Sequence, residues 1–386
     1  MHIAILIDSL AGGGAERVML TLAQTLIQQG HNCRVVALDG ACEHEFSAMI
    51  PVHFLAQNGF WRRSFPSVAL GEELRALEEV HGVFDLHISN LEKANLAVSQ
   101  LNLPNTLYVV HNSIEHTLKT RWWQPFKWWM TRQSIRSLTG KSVVAVSHGV
   151  KEGIVKSALL APKKLTTIYN PLALSETSAL ANALDDEIPQ EPYLIHVGRV
   201  AKQKRHDVLF EALAQVKRPI KLVCLCRNVN KARRLAEKYG VEDRVILPGF
   251  KQNPYPWIKK AQCLILSSDF EGFPTVLLES LALETHVIST DCDFGPREIL
   301  THGLSQWLVE PESPKALADK INSFLSSPPD FSRPPIMDEV NTEKAASRYL
   351  ALIDTVEAVC SVNSGEPERR ALNSEGVQSR KEVDFG

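Results

Sequence analysis

Two glutamates eight residues apart, Glu271 and Glu279, have the residue type and spacing best suited to ligand chemistry in this sequence. Glu271 lies in a loop after an apolar run that ends at Ser267, and Pro274 and Thr275 then open a predicted helix that carries Glu279. An open parallel sheet binds its ligands at the carboxyl ends of its strands. At such an edge the carboxylates could accept hydrogen bonds from sugar hydroxyls, and the N–H groups of the helix start could hold a phosphate.

The alternative is that both glutamates are solvated surface residues. The helix that carries Glu279 begins Thr-Val-Leu-Leu, which predicts a largely buried helix. An unpaired buried charge is very costly, so a glutamate in such a helix needs a hydrogen-bonding partner. Hydroxyls of a ribose or another sugar would serve as that partner.

A basic loop, GRVAKQKR at 198–205, follows an apolar predicted strand and precedes a predicted helix. Arginine binds phosphate through two parallel hydrogen bonds, whereas lysine acts as a mobile point charge. We expect Arg199 and Lys204 to clamp a diphosphate at the end of the strand, and Lys202 and Arg205 to be exposed. The alternative is a basic loop that is simply solvated.

Two features of the first half could face the same ligand. Glycines 12–14 follow the apolar run 3–7, and they permit close backbone approach to an anion at a helix start. The loop lacks the G-x-G-x-x-G spacing of dinucleotide-binding proteins, and a tight strand-to-helix turn explains it equally well. His111 ends the predicted strand 107–110 and could face a cleft, although a surface or capping histidine is the simpler interpretation.

Segment 117–141 holds six cations, four tryptophans and no acidic residue. Tryptophan favours the membrane interface, and each cation near anionic lipid contributes about 1 kcal/mol. The segment is too polar to span a bilayer, so it predicts an interfacial anchor. The predicted membrane-interface residues are Trp122, Trp123, Lys127, Trp128, Trp129, Arg132 and Arg136. The alternatives are a core aromatic cluster with a basic rim and a platform for single-stranded nucleic acid.

Composition narrows the classes of function. The 386 residues are 44% hydrophobic and carry a net charge of −2, so no global field favours nucleic acid. The seven cysteines show neither a C-x-x-C motif nor zinc-ligand spacing, which favours reduced thiols in the cytosol and predicts no metal site. We recognise neither a secretory signal nor an apolar run of roughly 18 residues for a membrane-spanning helix.

Strand-length apolar runs alternate with helix-length segments in both halves of the chain. This alternation predicts an α/β protein built from right-handed βαβ units, with two parallel sheets. The predicted boundaries are 1–172 for an N-terminal domain, 173–191 for an acidic linker, 192–335 for a C-terminal domain, 336–360 for a final helix and 361–386 for a disordered tail.

These motifs together resemble the retaining GT-B glycosyltransferases of the family 4 type, over most of residues 1–360. The most specific are E-x7-E, from Glu271 to Glu279, and G-R-x4-K, with Arg199 and Lys204. The further matches are GGGAER at 12–17, VSHGVKE at 146–152 and Asn170. TDCDFGPREIL at 290–300 is similar to the subgroup that builds lipopolysaccharide, capsule or lipid-linked glycans.

The resemblance implies two Rossmann-like domains that face each other across a cleft, with a nucleotide-sugar donor held mainly by the C-terminal domain. Arg199 and Lys204 would neutralise the diphosphate, Glu279 would bind the ribose, and Glu271 would hold hydroxyls of the donor sugar. His111 would contact that sugar from the N-terminal domain, which also takes the acceptor. The other implied donor contacts are Gly13, Gly14, Phe273, Pro274, Thr275 and Val276.

The implied activity is transfer of a hexose or an N-acetylhexosamine, with retention, from a UDP-type sugar to a lipid-borne bacterial surface glycan. No metal or other cofactor is expected, and the enzyme would associate peripherally with the cytoplasmic face of an anionic membrane. A sugar-nucleotide 2-epimerase and a non-catalytic, membrane-docked glycan assembly subunit share this architecture and are the alternatives.

Two departures from the family pattern stand out. Arg205 replaces the glycine that usually follows the clamp lysine, and Cys226-Arg227-Asn228 replaces a glycine-containing turn. These departures leave the nucleobase contacts near this turn unassigned. Loop 292–297 is the segment that we expect to influence the choice of donor sugar.

Overall fold

A computed structural model describes residues 1–11, 13–55 and 66–362. Gly12 of the predicted glycine loop and residues 363–386 of the predicted tail lie outside the described residues. Two parallel sheets, one in each half of the chain, form the framework.

The first sheet has seven strands in the order β3-β2-β1-β4-β5-β6-β7, and all of its neighbouring strands run parallel. Residues 3–7 of its central strand are fully buried, as a strand covered on both faces requires. The strands are β1 His2–Ile7, β2 Asn32–Ala37, β3 Val52–Phe54, β4 Leu86–Asn90, β5 Thr106–Val110, β6 Ser142–Ala145 and β7 Lys164–Thr167.

Helices connect these strands and cover the sheet. They are α1 Gly14–Gln28, α2 Pro66–His81, α3 Glu92–Leu101, α4 Ile114–Arg121, α5 Pro125–Arg136 and α6 His148–Ser157. The chain order reverses between β1 and β4, so the loops after these two strands flank a switch point, where open α/β sheets bind ligands.

The second sheet has six parallel strands in the order β10-β9-β8-β11-β12-β13. Its strands are β8 Tyr193–Val197, β9 Lys221–Leu225, β10 Val245–Gly249, β11 Cys263–Leu266, β12 His286–Thr290 and β13 Leu308–Val309. The switch point lies between β8 and β11, which are the strands that precede the basic loop and Glu271 respectively.

The helices of the second half are α7 Leu174–Leu180, α8 His206–Gln215, α9 Val229–Lys238, α10 Tyr255–Lys260, α11 Thr275–Ala282, α12 Pro296–Ile299 and α13 Pro314–Ser326. Short 3₁₀ turns occur at Lys202–Lys204, Glu242–Arg244, His302–Trp307 and Pro335–Asp338. Helix α7 falls inside the predicted linker and packs against α10 and α11, so this stretch is a folded part of the molecule.

The last helix, α14 Thr342–Val362, packs against α1 of the first sheet. The chain therefore returns to its first half after it has completed the second sheet, as the resemblance implies. The helix extends two residues into 361–386, the segment that was predicted to be disordered.

The cysteine side chains and the longest helices complete the description of the fold. The six cysteines whose side chains are described are all free, and Cys224 and Cys226 are buried in the core. Within the described residues, no helix combines the length and apolar character that crossing a bilayer demands.

Candidate active site

A cleft of about 980 Å³ opens between the two sheets, at the switch point of each. Every residue that was predicted to hold the donor lines this single cavity, although the residues are up to 266 positions apart in the sequence, the separation of Gly13 and Glu279. The lining includes Gly13, Gly14, His111, Arg199, Lys204, Glu271, Phe273, Pro274, Thr275, Val276 and Glu279.

The clamp lysine and the first glutamate form a largely buried ion pair. Lys204 Nζ lies 2.6 Å from Glu271 Oε1, and their side chains are 16% and 9% exposed. Ser267 fixes the clamp loop by donating a hydrogen bond from Oγ to the Lys204 carbonyl at 2.8 Å. The loops after β8 and β11 are therefore joined into one unit at the switch point.

Arg205 was predicted to be exposed, but its side chain is largely covered. Its guanidinium pairs with Asp207 at 3.0 Å, Asp269 at 2.8 Å and Glu312 at 3.1 Å. Its φ of 46° lies in the left-handed region, where glycine is favoured. This backbone position explains why a glycine is usual here, and the three carboxylates stabilise the arginine that replaces it. Lys202 is exposed, as expected.

Glu279 is buried on α11 and lies next to a tyrosine of α10. The Tyr255 hydroxyl is 3.5 Å from Glu279 Oε1. Burial raises the pKa of the Glu279 carboxyl, and the nearby Arg17 guanidinium and the Tyr255 hydrogen bond lower it. Sequence reasoning missed Arg17 and Tyr255 because neither lies near Glu279 in the chain.

The N-termini of α1 and α11 face each other across the cleft. A Cβ atom on Gly14 would lie 3.4 Å from Thr275 Oγ1, so the two helix starts are close together. Both ends carry partial positive charge, and together they favour an anion.

Glu16 lies in the first turn of α1, and its carboxylate folds back against Gly13, which the sequence did not predict. A Cβ atom on Gly13 would lie 2.2 Å from Glu16 Oε2, so any larger residue at position 13 would displace this carboxylate from its present position. Burial raises the pKa of Glu16, and the cation of Arg199 lowers it. An acidic residue three positions after the N-cap, as in a capping box, was the available sequence signal.

His111 lies at the end of β5 and is held by a buried asparagine of β4. His111 Nε2 is 3.2 Å from Asn90 Oδ1, and Asn90 Nδ2 donates to the Ile88 carbonyl at 3.1 Å. The amide orientation therefore assigns the proton to Nε2 and leaves the lone pair on Nδ1. Burial lowers the pKa of His111 to about 4, so the ring is neutral near pH 7.

Asp8 is a further residue that sequence reasoning missed. It follows β1, lines the cleft and accepts hydrogen bonds from the Ala94 and Lys93 amides at the start of α3, at 2.7 and 3.3 Å. Burial raises its pKa to about 6. This carboxylate belongs to the N-terminal side of the cavity, together with Glu92.

Loop 292–297, which was expected to influence the choice of donor, does not line the cleft. Phe294 instead contacts Gly149 and Gly153 of α6, where a Cβ atom would lie 2.5 and 2.8 Å from the phenylalanine ring. Glu298 accepts hydrogen bonds from the amides of His148 and Gly149 at 2.9 and 2.7 Å. These contacts dock the second domain on the first. The Asp293 carbonyl also accepts a hydrogen bond from the Glu271 amide at 3.2 Å, so the loop supports the Glu271 loop from behind, and its influence on the choice of donor stays a prediction.

The unusual Cys226-Arg227-Asn228 turn forms one end of the cleft. The Arg227 guanidinium lies 4.4 Å from the centre of the Phe250 ring and pairs with Glu43 of the first domain. Arg227, Phe250 and Lys251 all line the cavity. This end therefore offers a flat aromatic surface and cations.

The tryptophan-rich segment forms the end of α4 and the whole of α5. Trp122 and Phe126 are 75% and 72% exposed, and Trp123 and Trp129 are also exposed, so most of the aromatic surface lies outside the core. Trp128 differs, because its ring packs against the core, with the Arg132 guanidinium 5.3 Å from its centre.

Helix α5 also borders the cleft, since Lys127, Met130 and Thr131 line the cavity. One helix therefore connects the exposed aromatic surface to the cleft. Neither in the cleft nor outside it do the described residues include a group of three or more His, Cys, Asp or Glu side chains placed to bind a metal ion.

Two family profiles match the sequence, one over each half. The profile described as Glycosyltransferase Family 4 matches residues 12–176, and the one described as Glycosyl transferases group 1 matches residues 185–339. The N-terminal glycine loop lies in the first range, and both the clamp and the glutamate pair lie in the second.

Two relatives with named activities are similar to this chain. The N-acetylgalactosamine-N,N'-diacetylbacillosaminyl-diphospho-undecaprenol 4-alpha-N-acetylgalactosaminyltransferase of Campylobacter jejuni is 26% identical over 344 residues, which cover 84% of this chain and 90% of the relative. The lipopolysaccharide 1,6-galactosyltransferase of Escherichia coli is 29% identical over 193 residues, which cover 47% of this chain and about half, 52%, of the relative.

Solved structures share the whole architecture. Anabaena HepE in complex with UDP and glucose superposes with a TM-score of 0.66 at 17% identity, over 94% of this chain and 100% of HepE. The lipopolysaccharide outer core galactosyltransferase WaaB superposes with a TM-score of 0.65 at 20% identity, over 92% and 100% of the two chains. The chain belongs to the group 1, family 4 glycosyltransferases and has their two-domain GT-B fold.

Proposed function

We propose that this glycosyltransferase moves a hexose or an N-acetylhexosamine from a UDP-sugar to a lipid-borne bacterial surface glycan. The transfer retains the anomeric configuration and uses neither a metal ion nor another cofactor. The observation that carries the proposal is the convergence of Arg199, Lys204, Glu271 and Glu279 on one cleft between the two sheets.

The donor diphosphate would lie beside the N-termini of α1 and α11, which are close together. Both helix ends are positive, Arg199 adds a further cation to the same cavity, and Lys204 would contribute its charge once it leaves Glu271. Preorganised positive groups stabilise the charge that develops on a leaving phosphate, because they need not reorient during the reaction. We assign to these two cations the role of neutralising the diphosphate charge, which a divalent metal ion performs in other transferases.

The donor sugar would lie between Glu271 and His111, which belong to opposite domains. Glu271 would accept hydrogen bonds from sugar hydroxyls, and Lys204 would then turn towards the diphosphate. The neutral imidazole of His111 offers an acceptor at Nδ1, because Asn90 fixes the proton on Nε2. At the other end, Glu279 would accept hydrogen bonds from the ribose.

The proposed chemistry needs no protein nucleophile. The bond between the anomeric carbon and the phosphate oxygen breaks to give an ion pair that resembles an oxocarbenium ion. The acceptor hydroxyl then attacks from the same face, and its proton passes to the departing phosphate. Arg199 and Lys204 stabilise the phosphate as its charge grows.

The acceptor would approach from the N-terminal side, where Asp8, Glu92 and Lys127 line the cavity. The Campylobacter jejuni relative is named for an undecaprenyl diphosphate substrate, and this name supports a lipid-linked acceptor here. Carboxylates at this end can accept hydrogen bonds from sugar hydroxyls, and Lys127 can pair with a phosphate.

A membrane-bound acceptor requires the enzyme to work at a lipid surface, and we assign Trp122, Trp123, Phe126 and Trp129 to that contact. These side chains are exposed, and the cations of α5 lie beside them. The anchor would place the cleft beside the cytoplasmic face of the plasma membrane. Trp128 is not included, because it packs against the core.

The decisive experiment incubates the purified full chain with a panel of nucleotide sugars and with glycans linked to polyprenyl diphosphate. Release of a nucleoside diphosphate that depends on the acceptor, and an extended glycan in the product, would support transfer. The Glu271→Ala variant serves as the control for background hydrolysis.

The same assay separates the two alternatives. A sugar-nucleotide 2-epimerase would convert the donor without any acceptor, so product analysis of that mixture would reveal an epimer. A non-catalytic subunit would neither convert a donor nor bind one, and calorimetric titration with each nucleotide sugar tests this directly.

A further inference from the structure

Arg17 lies in the first turns of α1 in the N-terminal domain, yet its side chain ends in the C-terminal domain. Its Nη1 donates to the Tyr255 hydroxyl at 2.9 Å, and its Nη2 donates to the Gln252 carbonyl, also at 2.9 Å. The guanidinium carbon is 5.3 Å from the centre of the Tyr255 ring. Two hydrogen bonds and a ring contact thus tie one arginine to the opposite side of the cleft.

Tyr255 extends this contact to the carboxylate assigned to the ribose. Its side chain is buried, and its hydroxyl lies 3.5 Å from Glu279 Oε1. A phenol can accept one hydrogen bond and donate another, so it can accept from Arg17 and donate to Glu279 at the same time. The three side chains form a relay from one domain to the other.

The relay also sets the charge around Glu279. Burial raises the pKa of this carboxyl, and Arg17 is the cation that opposes the increase. Glu176 of α7 is a further charged group near Arg17, and Tyr255 of α10 completes the set around the carboxyl. The clamp lysine is engaged elsewhere, with Glu271.

We propose that Arg17, acting through the Tyr255 hydroxyl, is a positioning residue that holds Glu279 as a carboxylate for the ribose hydroxyls. Nucleotide binding then depends on the N-terminal domain being docked against the C-terminal domain. This inference rests on the proposed nucleotide-sugar donor, and it adds a residue of the first domain to a site that the family places mainly in the second.

A distinctive pH dependence follows for the Arg17→Met variant. Without the cation, the buried Glu279 carboxyl takes up a proton more readily as the pH falls from about 8 to about 6. A protonated carboxyl has lost one of its acceptor oxygens, and so it binds a pair of ribose hydroxyls less well. The loss of nucleotide affinity should therefore be larger at the lower pH.

The experiment is calorimetric titration of the full chain with UDP at about pH 6 and about pH 8, or with GDP, dTDP or ADP if one of these binds the unmodified protein more tightly. Arg17→Met should weaken binding about tenfold at the lower pH and less at the higher pH. In a Glu279→Gln background, where the carboxyl is absent, Arg17→Met should change the affinity by less than about twofold.

Arg233→Met is the matched control, because Arg233 is exposed on α9 and does not line the cleft. If Arg17→Met does not fold, Tyr255→Phe removes the bridging hydroxyl but keeps the ring and the cation, and it should show a smaller loss that is again larger at the lower pH. Equal weakening at both pH values, undiminished in the Glu279→Gln background, would overturn the inference. If no nucleotide binds the unmodified chain, the proposed function itself fails.

Discussion

Lys204 Nζ and Glu271 Oε1 lie 2.6 Å apart, so the cation assigned to the diphosphate and the carboxylate assigned to the sugar form one ion pair. Each side chain therefore neutralises the other within the cleft. A donor would have to separate them, and it would replace the lost attraction with its own diphosphate and hydroxyls. The pair sets the position of both groups before the donor arrives.

Glu271→Ala should reduce turnover by about 10²–10³, because the donor sugar loses an acceptor that orients it and Lys204 loses its partner. Measured kcat for transfer tests this. Since removal of one partner from a buried pair can cost about 3–5 kcal/mol of stability, unfolding must be measured in parallel. Glu271→Gln keeps the shape and is the matched comparison. Near-normal turnover in a folded Glu271→Ala protein would refute the assigned role.

Asn90→Asp should lower turnover near neutral pH by changing the charge of His111. An aspartate within reach of Nε2 would pair with a protonated ring and raise its pKa well above the present value of about 4. The Nδ1 lone pair would then be lost at neutral pH and recovered as the pH rises. Turnover measured against pH should show an alkaline recovery that the unmodified enzyme lacks.

Asn90→Leu provides the control for that experiment, because it removes the hydrogen bond without adding charge. It should lower turnover at every pH without a recovery at high pH. The same response to pH in both variants would mean that Asn90 supports only the local fold and does not set the protonation of His111.

The protein should become less stable in mild acid because of two buried histidines, His196 and His206. Both are buried beneath the clamp loop with ring centres 4.6 Å apart, and burial lowers their pKa values to about 4 and about 2. In the unfolded chain both would titrate at about 6.5. The unfolded state therefore binds more protons below that pH, and the free energy of unfolding decreases by up to about 1.4 kcal/mol per pH unit for each histidine.

Urea unfolding at a series of pH values from about 7 to about 5 measures this slope. Neither ring nitrogen of His206 has a hydrogen-bond partner among the described residues, so His206→Leu removes a titrating group at little cost in hydrogen bonding. As the pH falls, the free energy of unfolding of this variant should decrease less steeply. The difference in slope should correspond to about one fewer proton taken up on unfolding. An unchanged slope would show that His206 does not contribute.

Replacement of Trp122, Trp123 and Trp129 by serine should abolish flotation with vesicles that contain anionic lipid. These side chains are exposed, and burial of large aromatic rings at the lipid interface supplies much of the binding energy. Val80→Ser with Val83→Ser removes exposed apolar side chains from another part of the surface and is the control. Flotation that persists in the triple variant, or that is equal on neutral vesicles, would reject the anchor.

The alternation of apolar runs and helices was enough to predict the α/β class and the two sheets, because parallel strands buried on both faces leave continuous apolar stretches. Motif spacing was enough to identify the cleft residues Arg199, Lys204 and Glu271. These signals are local, and each follows a strand whose carboxyl end must reach the same edge of its sheet.

The remaining site residues act through partners that are distant in the sequence. Arg17 and Tyr255 are 238 positions apart, and no local pattern connects them. Arg205 was expected to be exposed because it is charged and lies in a loop, whereas its left-handed backbone and three carboxylate partners exist only in the folded chain.

Trp128 is a different case, because its position could have been read from the helical period. It shares a face of α5 with the buried Thr131 and Ile135, three and seven residues further along. The sequence analysis counted the tryptophans of this segment without considering that spacing. The predicted membrane-interface residues therefore included Trp128, whose ring packs against the core.

The central claim is tested most directly by an assay with EDTA present. The assay follows transfer of a labelled sugar from a UDP-sugar to a glycan on polyprenyl diphosphate. The account predicts a new linkage with the anomeric configuration of the donor, seen by nuclear magnetic resonance, at a rate that EDTA leaves unchanged and that Glu271→Ala nearly abolishes. An inverted linkage, or activity that EDTA removes and Mg²⁺ restores, would contradict it.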